Sequence, residues 1–116
     1  MKDINKIRQK TIEDFSNQWI KQNSLEKGFW TDSKWMVNLC NGIFDLSKIN
    51  NKIICEVGSG SGRIVKMLSK FKPKKIHSIE PSKNVHILKN NLKNLNNIKI
   101  HNVKGEEFRL KDVDYI

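Results

Sequence analysis

The sequence predicts an α/β protein: a parallel β-sheet with flanking helices, incomplete at the C-terminus and preceded by an N-terminal helical cap. Three observations lead there. Short, nearly continuous apolar runs ("KIICEV", "KIHSIE", "IKIHNV") alternate with stretches whose apolar residues recur at helical spacing. The first run breaks into glycines at every second position, Gly58, Gly60 and Gly62. Strands that alternate with helices pair in parallel through right-handed crossovers.

Two helices are expected before the first strand. In "INKIRQKTIEDFSNQWI" the residues Ile4, Ile7, Ile12, Phe15 and Trp19 form one apolar stripe. "WTDS", after Gly28, offers hydroxyl and carboxylate N-caps to a second helix. That helix would place Trp35, Met36, Leu39, Cys40 and Ile43 on one face. Residues 1–50 thus read as a helical cap, and residues 51–116 as the sheet-forming part. "KIICEV" has the continuous apolarity of a strand buried on both faces. Ile64, Val65, Leu68 and Phe71 mark the next helix, which Pro73 ends. After the second strand, Pro81 is expected at the first position of a helix whose stripe is Val85, Leu88, Leu92 and Leu95. "IKIHNV" is the third strand, and "VDYI" opens a fourth. No repeat or low-complexity linker divides the chain.

Composition narrows the function classes. With 116 residues the chain is one domain at most. No apolar run is long enough to cross a bilayer, and the polar start "MKDINKIRQK" lacks the apolar middle of a secretory signal, so a cytoplasmic location is expected. Cys40 and Cys55 match no zinc-ligand spacing, and Cys55 reads as a buried strand thiol. His77, His86 and His101 form no cluster along the sequence and are read as structural or exposed. The net charge of +10 suits a polyanionic partner. Nearly all of that charge is lysine, however, the exceptions being Arg8, Arg63 and Arg109. Nucleic-acid recognition leans on arginine forks and interleaved aromatics, so RNA or DNA is the lesser expectation.

In open α/β sheets, ligands bind beyond the carboxyl ends of the strands. The glycine loop after the first strand is therefore the expected site. Glycine there permits positive φ and, without a Cβ, lets a ligand press on the backbone. A phosphate-cradling P-loop would need a second glycine followed by lysine, which the loop lacks. The dinucleotide fingerprint would need glycine where Arg63 stands.

A third pattern fits. Glu56-Val57-Gly58-Ser59-Gly60-Ser61-Gly62 resembles the first motif of class I S-adenosylmethionine-dependent methyltransferases, an acid and an apolar residue followed by alternating glycines. "IHSIEPS" places Glu80 where that family carries its ribose-binding acid, at the end of the second strand. "NVKGEEF" resembles the segment bearing the adenine-facing acid, and "DVDYI" the opening of the fourth strand. The resemblance covers residues 51–116 and implies a Rossmann-like sheet and S-adenosyl-L-methionine as cofactor. It assigns Glu80 to the ribose hydroxyls and Glu56 to the methionine ammonium. Gly58 and Gly60 would allow close approach, with Ser59 in the same loop, and Gly62 would let the following helix pack tightly. Pro81 would border the site, Glu106 would accept from the adenine amino group, and the backbone near Glu107 would meet the ring. No metal is implied.

The reaction implied is in-line transfer of a methyl group already activated by its sulfonium, so the protein's tasks are alignment and exclusion of water. No catalytic residue is assigned within residues 1–116. The aromatic segments "FSNQW" and "GFW" resemble the helical lids of small-molecule methyltransferases and make a small-molecule acceptor the first expectation. An RNA or protein acceptor is second, and a non-catalytic cofactor-binding or interaction module is the reading from another class. The family's sheet has seven strands, so the chain reads as its cofactor-binding half, expected to be catalytically incompetent alone.

Overall fold

The computed structural model describes residues 3–22 and 33–116. Helices α1 (Ile4–Gln22) and α2 (Ser33–Cys40) are followed by a 3-10 turn, Leu46–Ile49. Then come β1 (Ile53–Val57), α3 (Arg63–Ser69), β2 (Lys75–Ile79), α4 (Val85–Leu92), β3 (Ile98–His101) and a second 3-10 turn, Gly105–Glu107. The three strands form one parallel sheet in the order β1-β2-β3, which is the α/β architecture the sequence predicts.

Register puts Ile54, Ile76 and Ile98 in one row, with Glu56, Ser78 and Ile100 in the next but one. These residues share a face of the sheet because side chains alternate along a strand. That face is covered by α3 and α4, whose Val65, Leu88 and Leu92 pack with Ile49, Ile54 and Ile76. Each such aliphatic side chain removed from water contributes about 1.5–3 kcal/mol before entropy is counted. A second cluster, Met36, Leu46 and Met67, fastens α2 to α3. The opposite face carries Cys55, His77, Ile79 and His101, and the chain leaving β3 lays Phe108 against the two histidines.

Beyond β1 the sheet gains one more partner. Tyr115 forms a parallel bridge with Ile54, the Cys55 amide donates to the Tyr115 carbonyl (2.9 Å), and the Asp114 amide to that of Ile53 (2.7 Å). The ring of Phe44 meets Tyr115 edge-on, 5.2 Å between centroids. The fourth strand read from "VDYI" is thus a single bridge, placed on the side of β1 away from β2.

Four further readings are corrected. The stripe on α1 is not a buried one, since Ile4, Ile7 and Phe15 are about half exposed or more and, among the described side chains of the helix, the buried one is Ser16. On α2 only Met36 is buried, with Trp35 and Cys40 packed partly against its cluster. Leu39, though within the helix, is exposed, and Ile43 lies past the helix end at Cys40 and faces solvent. Pro81 does not open α4. The Ser82 amide is taken by the Glu80 side chain and the Asn84 amide by Ser82 Oγ, which holds residues 81–84 as a turn and delays the helix to Val85. Finally, His77 and His101 do form a pair. The Trp19 side chain and residues 23–32, including "GFW" and most of the expected "WTDS" cap, lie outside the described residues.

Candidate cofactor-binding site

Strand order locates the site. The chain steps from β1 to β2 to β3 and then returns to the far edge of β1 at Tyr115. The reversal lies beside β1, and a crevice opens outside the carboxyl ends of strands at such a point. The loop after β1 occupies it.

That loop is bent by glycine. Gly58, Gly60 and Gly62 have φ of 81°, 56° and 87°, all in the left-handed region that side chains disfavour. The Gly58 and Ser59 amides both donate to the Ile79 carbonyl at 2.9 Å, which stitches the loop to the end of β2. Gly62 starts α3, and a Cβ there would lie 2.8 Å from Leu88 Cδ1 and 2.9 Å from Leu92 Cδ2, so its bareness lets α3 close on α4. At Gly58 an added Cβ would meet nothing within 4 Å, which leaves open space above the bend.

Glu80 ties this loop to the next. Its side chain is 1% exposed and turned toward the bend, with Oε2 accepting from the Gly60 amide and Oε1 from the Ser82 amide, each at 2.8 Å. Every carboxylate oxygen has two lone-pair directions, so each of these retains one. The Glu80 amide in turn donates to His101 O at 3.0 Å, and Asn102 Nδ2 donates to the carbonyls of Glu80 (2.7 Å) and Ser82 (3.0 Å). The ends of all three strands are thereby joined through polar contacts around one carboxylate.

Glu56 lies below the bend. Its Oε2 is buried with no hydrogen-bond partner, as is Oγ of Ser78, its neighbour across the strands. Burial pushes the Glu56 carboxyl up to about 7, and the Glu80 charge adds to this, while the Ser59 hydroxyl and Arg63 oppose it. A cation arriving at Oε2 would restore the ionised form. An orphaned carboxylate oxygen next to a bend with open space, and a second carboxylate with free lone pairs, fit a ligand carrying both an ammonium and a diol.

The other expected residues are less centrally placed. Ser59 is buried, with Oγ 3.4 Å from the Glu56 carbonyl. Pro81 lines a cavity of about 270 Å³ between α1 and the loops after β2 and β3. Glu106 and Glu107 sit exposed on the turn after β3, where Glu106 pairs with Arg8 of α1 at 3.2 Å and Glu107 lies 4.0 Å from Lys104. Asn102 escaped the sequence reading, as did the pairing of His77 Nδ1 with His101 Nε2 at 2.9 Å. Among the described residues no cluster of His, Cys, Asp or Glu could hold a metal ion. Nor is any helix among them long and apolar enough to cross a membrane.

No protein-family profile and no curated protein matches the chain in sequence. Solved structures do. A protein from Pyrococcus horikoshii described as an RNA methyltransferase, PH1948, matches with a TM-score of 0.54 at 21% identity, over 68% of this chain and 37% of its own. The PRMT1 enzyme–prozyme heterotetrameric complex of Trypanosoma brucei, determined with AdoHcy, matches with a TM-score of 0.51 at 20% identity, over 71% of this chain and 24% of its own. What the chain shares with these two methyltransferases is the fold, a partial Rossmann-like α/β sheet. The chain spans well under half the length of either protein. Within the methyltransferase fold, the glycine bend and Glu80 stand at the carboxyl edge of the sheet, on the side where the strand order turns back.

Proposed function

We propose that the chain is the cofactor-binding part of an S-adenosylmethionine-dependent methyltransferase. The observation that carries this reading is the Glu80 carboxylate bonded to the Gly60 amide, above a half-buried Glu56 whose Oε2 is buried without a partner. Glu80 would accept the two ribose hydroxyls in charge-assisted hydrogen bonds. Glu56 would take the ammonium of the methionine portion, and the bare backbone at Gly58 would let the nucleoside lie against the bend. When bound, the cofactor would supply a methyl group on a positive sulfur: an acceptor lone pair would bond to the methyl carbon as the carbon–sulfur bonding pair returns to sulfur. Glu106 would serve the adenine end only if its pair with Arg8 opens, while the backbone near Glu107 would meet the ring.

For the acceptor we favour RNA. Support comes from the likeness to a protein described as an RNA methyltransferase. The net charge of +10, nearly all lysine, attracts a polyanion without specifying one. The small-molecule acceptor expected from the sequence draws no support from the structural neighbours. Of its aromatic segments, "GFW" and the Trp19 side chain lie outside the described residues, and Phe15 is about half exposed. A protein acceptor is the second reading, suggested by the PRMT1 likeness.

Calorimetric titration with S-adenosylhomocysteine tests the cofactor site. Binding is expected, abolished in Gly58→Val and weakened at least about tenfold in Glu80→Ala, the scale of a lost charge-assisted hydrogen bond. Wild-type affinity in both variants would refute the assignment. Fluorescence anisotropy of a labelled RNA oligonucleotide against a basic peptide then ranks the acceptor classes.

A further inference from the structure

The turn that carries Glu80 is held by a residue to which the sequence assigns no role, although it opens the "NVKGEEF" segment. Asn102 follows β3, and its Nδ2 donates to the carbonyls of Glu80 at 2.7 Å and Ser82 at 3.0 Å. One amide group thus uses both of its hydrogens on a single turn. The neighbouring His101 carbonyl accepts from the Glu80 amide at 3.0 Å, so the turn is gripped at both polar groups of the Glu80 backbone. Inside the turn the Ser82 amide fixes Oε1 and, across the crevice, the Gly60 amide fixes Oε2. The direction of the remaining lone pairs follows from the orientation of this turn.

We infer that Asn102 is a positioning residue that aims the Glu80 carboxylate at the vicinal hydroxyls of a ribonucleoside. This rests on the proposed nucleoside site. The side chain has the right chemistry for it: aspartate has no donor, serine has only one, and glutamine is a methylene too long for the same reach. Discrimination between a ribose and a deoxyribose ligand should therefore depend on residue 102 as well as on Glu80.

The test compares S-adenosylhomocysteine with its 2′-deoxy analogue by calorimetry. The wild-type chain is expected to prefer the ribose ligand about tenfold or more, as a charge-assisted hydrogen bond implies. In Asn102→Ala the preference should fall to within about twofold. Added to Glu80→Gln, the substitution should cost little more, since both act through the same bonds and such effects are not additive. Equal weakening of both ligands, with the ribose preference intact, would show a merely structural role and overturn the inference. If Asn102→Ala does not fold by circular dichroism, Asn102→Ser decides: an intermediate preference supports the inference, an unchanged one overturns it. Failure of the wild-type chain to bind either ligand removes the nucleoside site itself. Binding without any loss of preference in the variants removes only the role of Asn102.

Discussion

Gly58 and Gly62 share a left-handed backbone, yet a methyl group would meet different surroundings at each. At Gly58 it enters open space, so Gly58→Ala should cost only the left-handed penalty of about 1–2 kcal/mol. At Gly62 it would collide with Leu88 and Leu92, which adds overpacking of about 1–3 kcal/mol. Urea melts are expected to rank Gly62→Ala as the less stable variant, while calorimetry with S-adenosylhomocysteine ranks Gly58→Ala as the weaker binder among folded chains. A Gly58→Ala chain that binds like wild type would place the nucleoside elsewhere. The alternating glycines were legible in the sequence because each meets a backbone demand that only glycine meets cheaply. Glu80 was legible because it closes a strand one helix away from them. Asn102 was not, since its partners lie 22 and 20 residues off and an amide reaching two carbonyls leaves no pattern along the chain.

Strands β2 and β3 carry a feature with its own pH dependence. His77 and His101 share a hydrogen bond under Phe108, and both are held below the usual histidine range by burial, with Lys75 and Lys99 adding to the effect. A base whose folded pKa is depressed contributes stability that is present above its unfolded value of about 6.5 and lost as pH falls through the folded value. His77→Phe, which keeps an aromatic body but cannot titrate, should flatten this acid limb in urea melts taken from pH about 7 down to 5. An unaltered limb would assign the loss to other groups. The pairing was hidden because the two histidines lie on separate strands and meet only once register is known. The helices show a similar division. The apolar spacing of α3 and α4 revealed their buried faces, because the sheet supplies a partner for them. The spacing of α1 misled, because this helix docks through Ser16, whose carbonyl accepts from Asn84 Nδ2 at 3.0 Å, and through the Arg8–Glu106 pair. Amphipathic spacing says that a face is apolar, not what lies against it.

Across the whole molecule, stability and ligand binding make opposite demands on Glu56. A carboxyl raised from 4.5 to about 7 contributes stability that is fully present below the unfolded value and lost as pH rises through 7. The loss amounts to roughly 3 kcal/mol by linkage. Glu56→Gln should therefore make the ligand-free chain more stable than wild type at pH about 8 and little different at about 4, read by urea melts. The same substitution should abolish the rise in affinity for S-adenosylhomocysteine expected as pH passes from about 6 to 8, where the ionised carboxylate becomes available to an ammonium. Matching pH profiles for wild type and Glu56→Gln would rule out a direct contact. The sheet that surrounds this residue was readable as alternating elements, and "VDYI" was readable as a strand opening, but its bridge to the outer edge of β1 at Tyr115 shows only in the folded chain. The contacts around Glu80 have one more consequence. Its fixed donors at Gly60 and Ser82 are main-chain amides already engaged in the folded chain, so an incoming nucleoside finds a dock assembled beforehand. Encounter should then proceed without a slow ordering phase, leaving residence time, rather than arrival, as the quantity that substitutions here alter.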